Sequence, residues 1–310
     1  MLRYILKRLL IMCITLWIIV TLTFVLMISI PGSPFNSDQS SNETVQANLE
    51  KFYNLDEPYY IQYFQYIKSV ILFDFGPSIK QPNQTVNDLL GRGFPISFEL
   101  GLITIIVAVI SGIILGVIAA LRHNGFVDYL AMGVAVFGIS IPNFILATLL
   151  IQQLAVNAEW FPVATWSSPK HMVLPVLALA TGPMAIIARL TRSTMLEVLT
   201  QDYIKMARAK GLSPWKIIFK HALRNALMPV VTIMGTLLAG ILTGTFVIEQ
   251  IFAIPGMGKY FVESINHRDY PVIMGTTVFY SVFLIMMLFL VDIAYGILDP
   301  RIKVHQKEGE

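Results

Sequence analysis

The stretch QDYIKMARAKGLSPWKIIFKHALRN, residues 201–225, determines how the rest of the chain is interpreted. It is polar and lies between apolar segments that are each long enough to cross a bilayer. Gly211 interrupts it, and Ser213 and Pro214 follow. Ser213 is placed to cap a helix whose first position is Pro214, where a missing N–H costs nothing. The pattern therefore predicts a helix, a sharp turn and a second helix.

The same stretch is strongly basic. Its one acid is Asp202, and its basic residues are Lys205, Arg208, Lys210, Lys216, Lys220 and Arg224. The last three recur every four residues, which places them on one helix face, while other residues can pack inward: Ile217, Ile218, Ala222 and Leu223. This pattern indicates either a docking surface for another protein or a topology signal that contacts nothing. The predicted order around Gly211 favours docking, because a charge signal alone does not need it.

The composition indicates an integral membrane protein. Hydrophobic residues make up 55% of the chain and charged residues only 13%, whereas soluble chains carry about 25% charged residues. The single cysteine, Cys13, excludes an intrachain disulfide. The apolar runs predict an all-α fold with six transmembrane helices, at residues 9–30, 100–121, 129–154, 171–190, 228–251 and 276–298. Pro142 is expected to kink the third of these helices.

The distribution of Lys and Arg predicts the orientation in the membrane. These residues are concentrated at the amino terminus, in residues 201–225 and in the carboxyl tail, so the positive-inside rule places all three in the cytoplasm. Residues 31–97 are then extracytoplasmic, and they form either a partner-binding surface or a cap without a partner. An amphipathic helix is predicted there by the spacing of Tyr59, Tyr60, Tyr63, Phe64, Tyr66 and Ile67.

Motifs for catalysis and nucleotide binding are absent from the sequence. It contains no G-x-x-x-x-G-K-[ST], no H-E-x-x-H and no G-x-S-x-G, and its histidines lack ligand spacing. The acids near the ends of the predicted spans, Glu99, Asp128, Glu249 and Asp292, are interpreted as interface or helix-end acids and not as members of an ion relay. We therefore expect no enzyme activity, cofactor or metal in this chain. Gly112-x-x-x-Gly116 and Gly240-x-x-x-Gly244 predict close helix packing.

Residues 201–225 resemble the cytoplasmic coupling loop of binding-protein-dependent ABC transporter permeases, whose pattern is E-A-A-x₃-G-x₉-I-x-L-P. Gly211 aligns with the family glycine, which places Lys205 at the family acid and Arg224 at the family proline. Asp202, about one turn earlier, is a possible substitute acid. The runs ARAKGLS at 207–213 and HALRNALMP at 221–229 are similar to the oligopeptide, dipeptide and nickel branch of the family, especially its B-type oligopeptide permeases.

The resemblance implies a type I ABC importer permease fold. Its expected parts are a first transmembrane helix with an extracytoplasmic segment at 1–95, a core at 96–299 with a coupling loop at 189–228, and a cytoplasmic tail at 300–310. The residues implied to couple the chain to an ATPase are Asp202, Lys205, Ala207, Arg208, Ala209, Lys210, Gly211, Leu212, Ser213, Lys216, His221, Leu223, Arg224 and Asn225.

The function implied by the resemblance is ATP-driven import of oligopeptides across the cytoplasmic membrane of a prokaryote. The implied partners are a second permease subunit in a heterodimer, two cytoplasmic ATPase subunits that bind ATP and Mg²⁺, an extracytoplasmic peptide-binding protein and membrane lipid, with no nucleic acid. Alternative cargoes are dipeptides, glutathione and nickel. A stand-alone channel, a secondary carrier and a membrane scaffold are the alternatives from other functional classes.

Overall fold

The computed structural model describes residues 2–29, 50–81, 83–243 and 245–298. These ranges are mostly helical, and the one β-bridge within them joins Pro77 to Thr85. The helices are α1 Leu2–Ser29, α2 Tyr59–Leu72, α3 Val86–Leu121, α4 Phe126–Ser140, α5 Asn143–Asn157, α6 Pro169–Leu199, α7 Asp202–Ala209, α8 Pro214–Ala226, α9 Met228–Thr243, α10 Phe246–Ile251, α11 Met257–His267 and α12 Tyr270–Leu298. The predicted tail at 300–310 lies outside the described residues.

The chain divides into two compact units. One comprises residues 1–96 and 255–289, and the other comprises residues 97–254 and 290–310. The domain boundaries expected from the sequence, at 95 and 299, stay a prediction.

Four helices among the described residues are long and apolar enough to cross a membrane: α1, α3, α6 and α12. Two bent pairs, α4 with α5 and α8 with α9, bring the number to as many as six if each pair is one span. The described residues therefore hold four to six candidate spans, against the six predicted.

The third predicted span is broken and not merely kinked. α4 and α5 meet at 107°, and Ile141 between them is extended, with φ −92° and ψ 123°. The cause is Pro142, because proline lacks an N–H and its ring pushes the preceding residue out of the helical region.

The fifth predicted span, at 228–251, was wrong as one continuous helix. α9 ends at Thr243, and α10 begins at Phe246 as a separate short helix. Within α10, Glu249 is fully buried, and the Thr245 hydroxyl donates a hydrogen bond to its carboxylate at 2.5 Å. This hydroxyl is a polar partner of the kind that a carboxylate inside an apolar membrane segment needs.

In the first unit, the predicted amphipathic helix is confirmed as α2. It packs on α1, where Phe24 contacts the rings of Tyr63 and Tyr66 at centroid distances of 5.4 and 6.0 Å. The hydroxyls of Thr21 and Tyr63 are also hydrogen-bonded at 2.7 Å. Ring packing of this kind contributes about 1 kcal/mol beyond area burial, so α2 is fixed against the first membrane helix.

In the second unit, Gly112 and Gly116 bring α3 close to α6. A Cβ on Gly112 would lie 2.8 Å from the carbonyl oxygen of Met184, and one on Gly116 would lie 2.5 Å from that of Ala188. The close packing predicted for this pair is confirmed. A Cβ on Gly240 would meet nothing within 4 Å, so close packing is not found there, and Gly244 lies outside the described residues.

We expect Gly116→Ala to destabilise the second unit, because its new methyl would overlap a backbone carbonyl that cannot rotate away. Overpacking of this kind costs about 1–3 kcal/mol. The measurement is the thermal midpoint of the detergent-solubilised chain, followed by size-exclusion fluorescence. Gly133→Ala on α4 is the matched control, since a Cβ there would meet nothing within 4 Å. An equal midpoint for the two variants would contradict the prediction.

Candidate functional site

The polar stretch 201–225 forms a bent pair of helices, α7 and α8, which we call the elbow. α7 ends in a Schellman motif: the Gly211 N–H donates to the Arg208 carbonyl at 2.9 Å, and the Leu212 N–H donates to the Ala207 carbonyl at 3.3 Å. Gly211 has φ +74°, a conformation that glycine adopts without steric cost. A Cβ there would meet nothing within 4 Å. Backbone conformation, and not space, therefore requires glycine at this turn.

The second arm, α8, differs from the prediction in two respects. Ser213 occupies the N-cap position, but its side chain makes no capping hydrogen bond, so the predicted side-chain cap was wrong. The helix start is fixed instead by Pro214, whose ring sets φ, and by the Ser213 carbonyl, which accepts the Ile217 N–H at 3.1 Å. Ile217–Ala222 form a π-helical turn, which is wider than an α-helical turn. The elbow itself is present as predicted.

The inner side of the elbow is anchored in an apolar cluster with α3 and α6. Ile204 and Ala207 of α7 and Ile217 and Ala222 of α8 are buried there, and Met195 of α6 is fully buried beside them. Complete burial of an isoleucine side chain contributes about 1.5–3 kcal/mol. The two arms are therefore held on one frame.

Polar contacts add to this anchoring. The Asn225 amide donates to the Tyr203 hydroxyl at 2.8 Å, which joins the two arms directly. The Thr194 hydroxyl of α6 donates to the Ala226 carbonyl at 2.8 Å. Asp202 pairs with Lys205 at 2.9 Å on the surface, so the acid proposed as a substitute neutralises a base in its own arm. Exposed pairs of this kind contribute about 1 kcal/mol or less.

The outer side of the elbow carries its charge. Most of the residues implied for coupling are exposed: Asp202, Lys205, Arg208, Ala209, Lys210, Gly211, Ser213, Lys216, Arg224 and Asn225. Ala207 is buried, and the half-buried residues are Leu212, His221 and Leu223. Lys220 is exposed as well, so all six bases point away from the apolar cluster. The elbow thus presents a positive surface on a fixed frame.

A buried ion pair in the second unit was not predicted from the sequence. Asp128, in the first turn of α4, is 1% exposed and forms a bidentate pair with Arg192 of α6, at 2.5 and 2.7 Å. Its carboxylate also accepts the Asn124 N–H at 3.0 Å, and the His123 Nδ1 lies 3.4 Å away. The pair fixes the α3–α4 connection to the helix that leads into the elbow. The acid at a helix start was visible in the sequence, but its partner is 64 residues away.

Comparisons with known proteins agree with this architecture. A model of the family described as "Binding-protein-dependent transport system inner membrane component" matches residues 112–304, and the model of its N-terminal region matches residues 1–100. The chain is 73% identical over 307 residues to the dipeptide transport system permease protein DppB of Bacillus subtilis, covering 99% of this chain and 100% of the relative. It is 43% identical to the oligopeptide transport system permease protein OppB of Haemophilus influenzae, covering 98% and 100%.

Solved structures show the same fold. The inward-facing MetNI methionine ABC transporter matches with a TM-score of 0.53 at 21% identity, covering 66% of this chain and 92% of that one. An amino acid ABC transporter crystallised with histidines matches with a TM-score of 0.54 at 15% identity, covering 68% and 95%. These likenesses confirm the type I ABC importer permease fold. The chain therefore belongs to the family of binding-protein-dependent transport system inner membrane components.

Proposed function

We propose that this chain is the permease subunit of an ATP-driven importer that carries short peptides across the cytoplasmic membrane of a prokaryote. The observation that carries the proposal is the elbow, in which six exposed bases stand on a frame fixed by burial and by the Schellman turn. A flexible loop would absorb an applied displacement, whereas an ordered pair of helices transmits it. α8 leads into α9 at 51°, so movement of the elbow moves a membrane helix.

The proposal assigns the energy source to other subunits. We place ATP and Mg²⁺ on two cytoplasmic ATPase subunits, and the positive elbow suits an acidic groove on such a subunit. A second permease subunit completes the pathway, and an extracytoplasmic binding protein delivers the cargo. Family membership supports an ATPase partner and a substrate-binding protein in general terms. Orientation with both termini in the cytoplasm rests on the positive-inside distribution of Lys and Arg.

We expect crosslinks from the turn of the elbow to reach a nucleotide-hydrolysing neighbour. Cys13 is the single cysteine, so a Cys13→Ser background allows one reactive site, introduced as Lys210→Cys. A short bifunctional reagent in native membranes should then capture an ATPase subunit, identified by mass spectrometry. Lys68→Cys on the exposed face of α2 is the control, and it should capture none. Failure at position 210 with an intact, inserted chain would overturn the proposal.

The cargo of the importer is tested by peptide uptake. The 73% identical relative is named for dipeptides and the 43% identical relative for oligopeptides, so both cargoes are compatible with the proposal. We expect a strain lacking this chain to lose uptake of labelled di- and pentapeptides and to regain at least one of them on complementation. The preferred length follows from competition between the two. Restored nickel or glutathione uptake without peptide uptake would refute a peptide cargo.

A further inference from the structure

An apolar groove lies between α8, the second arm of the elbow, and the carboxyl-terminal half of α3. Its walls include Ile114, Ile118 and Leu121 of α3 and Trp215 and Phe219 of α8. The two aromatic rings are stacked, with centroids 5.1 Å apart and planes 6° from parallel. Trp215 is 72% exposed and Phe219 is 51% exposed. Large aromatic surface of this kind on one side of a groove indicates a binding partner.

The groove continues an exposed apolar stripe along α3. Exposed residues recur every four positions along this membrane helix: Leu102, Ile106, Ile110, Ile114 and Ile118. The part of the stripe from Ile110 to Leu121 is about 16 Å long at 1.5 Å per residue, which is about half of a hydrocarbon core of roughly 30 Å. This length equals one leaflet, so an acyl chain lying along the stripe would bring its headgroup to α8.

The charged residues at the α8 end of the groove are basic. Lys216 and Lys220 directly follow Trp215 and Phe219 in the chain and are exposed, and Arg122 is exposed where α3 ends. Asp202 is the one acid of the elbow, and it is paired with Lys205 on the other arm. Tryptophan favours the depth of the lipid headgroups, and lysines beside a membrane helix attract anionic headgroups.

We propose that this groove binds one anionic phospholipid. An acyl chain lies along the α3 stripe, the glycerol region contacts the Trp215 and Phe219 rings, and the phosphate accepts hydrogen bonds from Lys216 and Lys220. The site uses the Trp215 side of α8, so it assigns Lys216, which the family resemblance implied for ATPase coupling, to lipid, and it leaves the turn at Gly211 and Lys210 for the ATPase. The lipid proposal therefore stands or falls independently of the transported cargo.

Quenching of Trp215 by brominated lipids tests the proposal. The purified chain carries Trp17→Phe, Trp160→Phe and Trp166→Phe, so that Trp215 is its single tryptophan, and the chain is placed in nanodiscs. Brominated phosphatidylglycerol should quench Trp215 at a lower mole fraction than brominated phosphatidylcholine, by about five-fold for each lysine engaged. Lys216→Gln with Lys220→Gln should remove the difference, and Lys205→Gln on the other arm with Lys210→Gln at the turn should leave it.

A control variant with a different single tryptophan, and native mass spectrometry as a second measurement, complete the test. A variant that keeps only Trp17, exposed on α1, should show no preference between the two lipids. Native mass spectrometry of the chain with all its tryptophans should retain phosphatidylglycerol after delipidation and lose it in the Lys216→Gln, Lys220→Gln variant. Equal quenching of Trp215 by both lipids would overturn the site, because it shows hydrocarbon contact without headgroup selection. Quenching by neither lipid would also overturn it, because a protein then covers the groove.

Discussion

Replacing Gly211 with valine is expected to abolish peptide uptake while leaving the chain inserted in the membrane. The turn requires φ +74° at this position, which a β-branched residue resists. A strain of about 2 kcal/mol shifts the balance between the capped turn and an unwound turn by about thirty-fold. The apolar cluster under both arms remains, so the loss is one of elbow geometry. Uptake of a labelled peptide, normalised to the amount of chain in the membrane, is the measurement.

Two further substitutions at the same position separate conformation from size. Asparagine adopts the left-handed region more readily than other residues with a Cβ, and alanine less readily. A Cβ meets nothing within 4 Å, so side-chain volume should matter little. We therefore expect uptake to fall in the order Gly211→Asn, Gly211→Ala, Gly211→Val. A decline that followed side-chain size, with asparagine worse than alanine, would show that a partner surface, and not the backbone, constrains this turn.

Arg192→Gln is expected to cause a large loss of stability in the second unit. It leaves the carboxylate of Asp128, whose side chain is 2% exposed, without its bidentate partner. Removing one member of a buried ion pair costs about 3–5 kcal/mol. Arg192 is itself 25% exposed, so water can reach the site and the lower end of that range applies. The thermal midpoint and the folded yield in detergent should both fall.

A double variant shows whether the charge causes this loss. Asp128→Asn with Arg192→Gln removes both charges and keeps side chains of similar size, so it should recover much of the lost stability. Lys205→Gln is the control, because it breaks the exposed pair with Asp202 and should change stability by about 0.5 kcal/mol or less. If the double variant were as unstable as Arg192→Gln, packing and not the ion pair would be responsible.

Local features of this chain were predictable from the sequence, and long-range ones were not. Gly211 and Pro214 act through their own backbone restrictions, so their neighbours in the sequence suffice to place the elbow. The absent Ser213 cap and the π-helical turn at Ile217–Ala222 depend on how α8 packs. Local patterns do not encode that packing.

The same limit applies to the membrane core and to the coupling residues. The pairing of Asp128 with Arg192 needs knowledge of which helices become neighbours, because the two residues are 64 positions apart. The assignment of residues 201–225 to ATPase coupling rests on the family resemblance and on the exposed charge of the elbow. It stays a prediction until the crosslinking experiment is done.

The right-angled break between α4 and α5 has a consequence for biogenesis. Each half is 15 residues long when the π-helical turn is included, which gives about 22 Å, too short to span a hydrocarbon core of roughly 30 Å. Gly138 of α4 lies so close to α6 that a Cβ would come within 2.5 Å of Thr181. We therefore expect this part of the nascent chain to settle stably into lipid only after α6 has been synthesised.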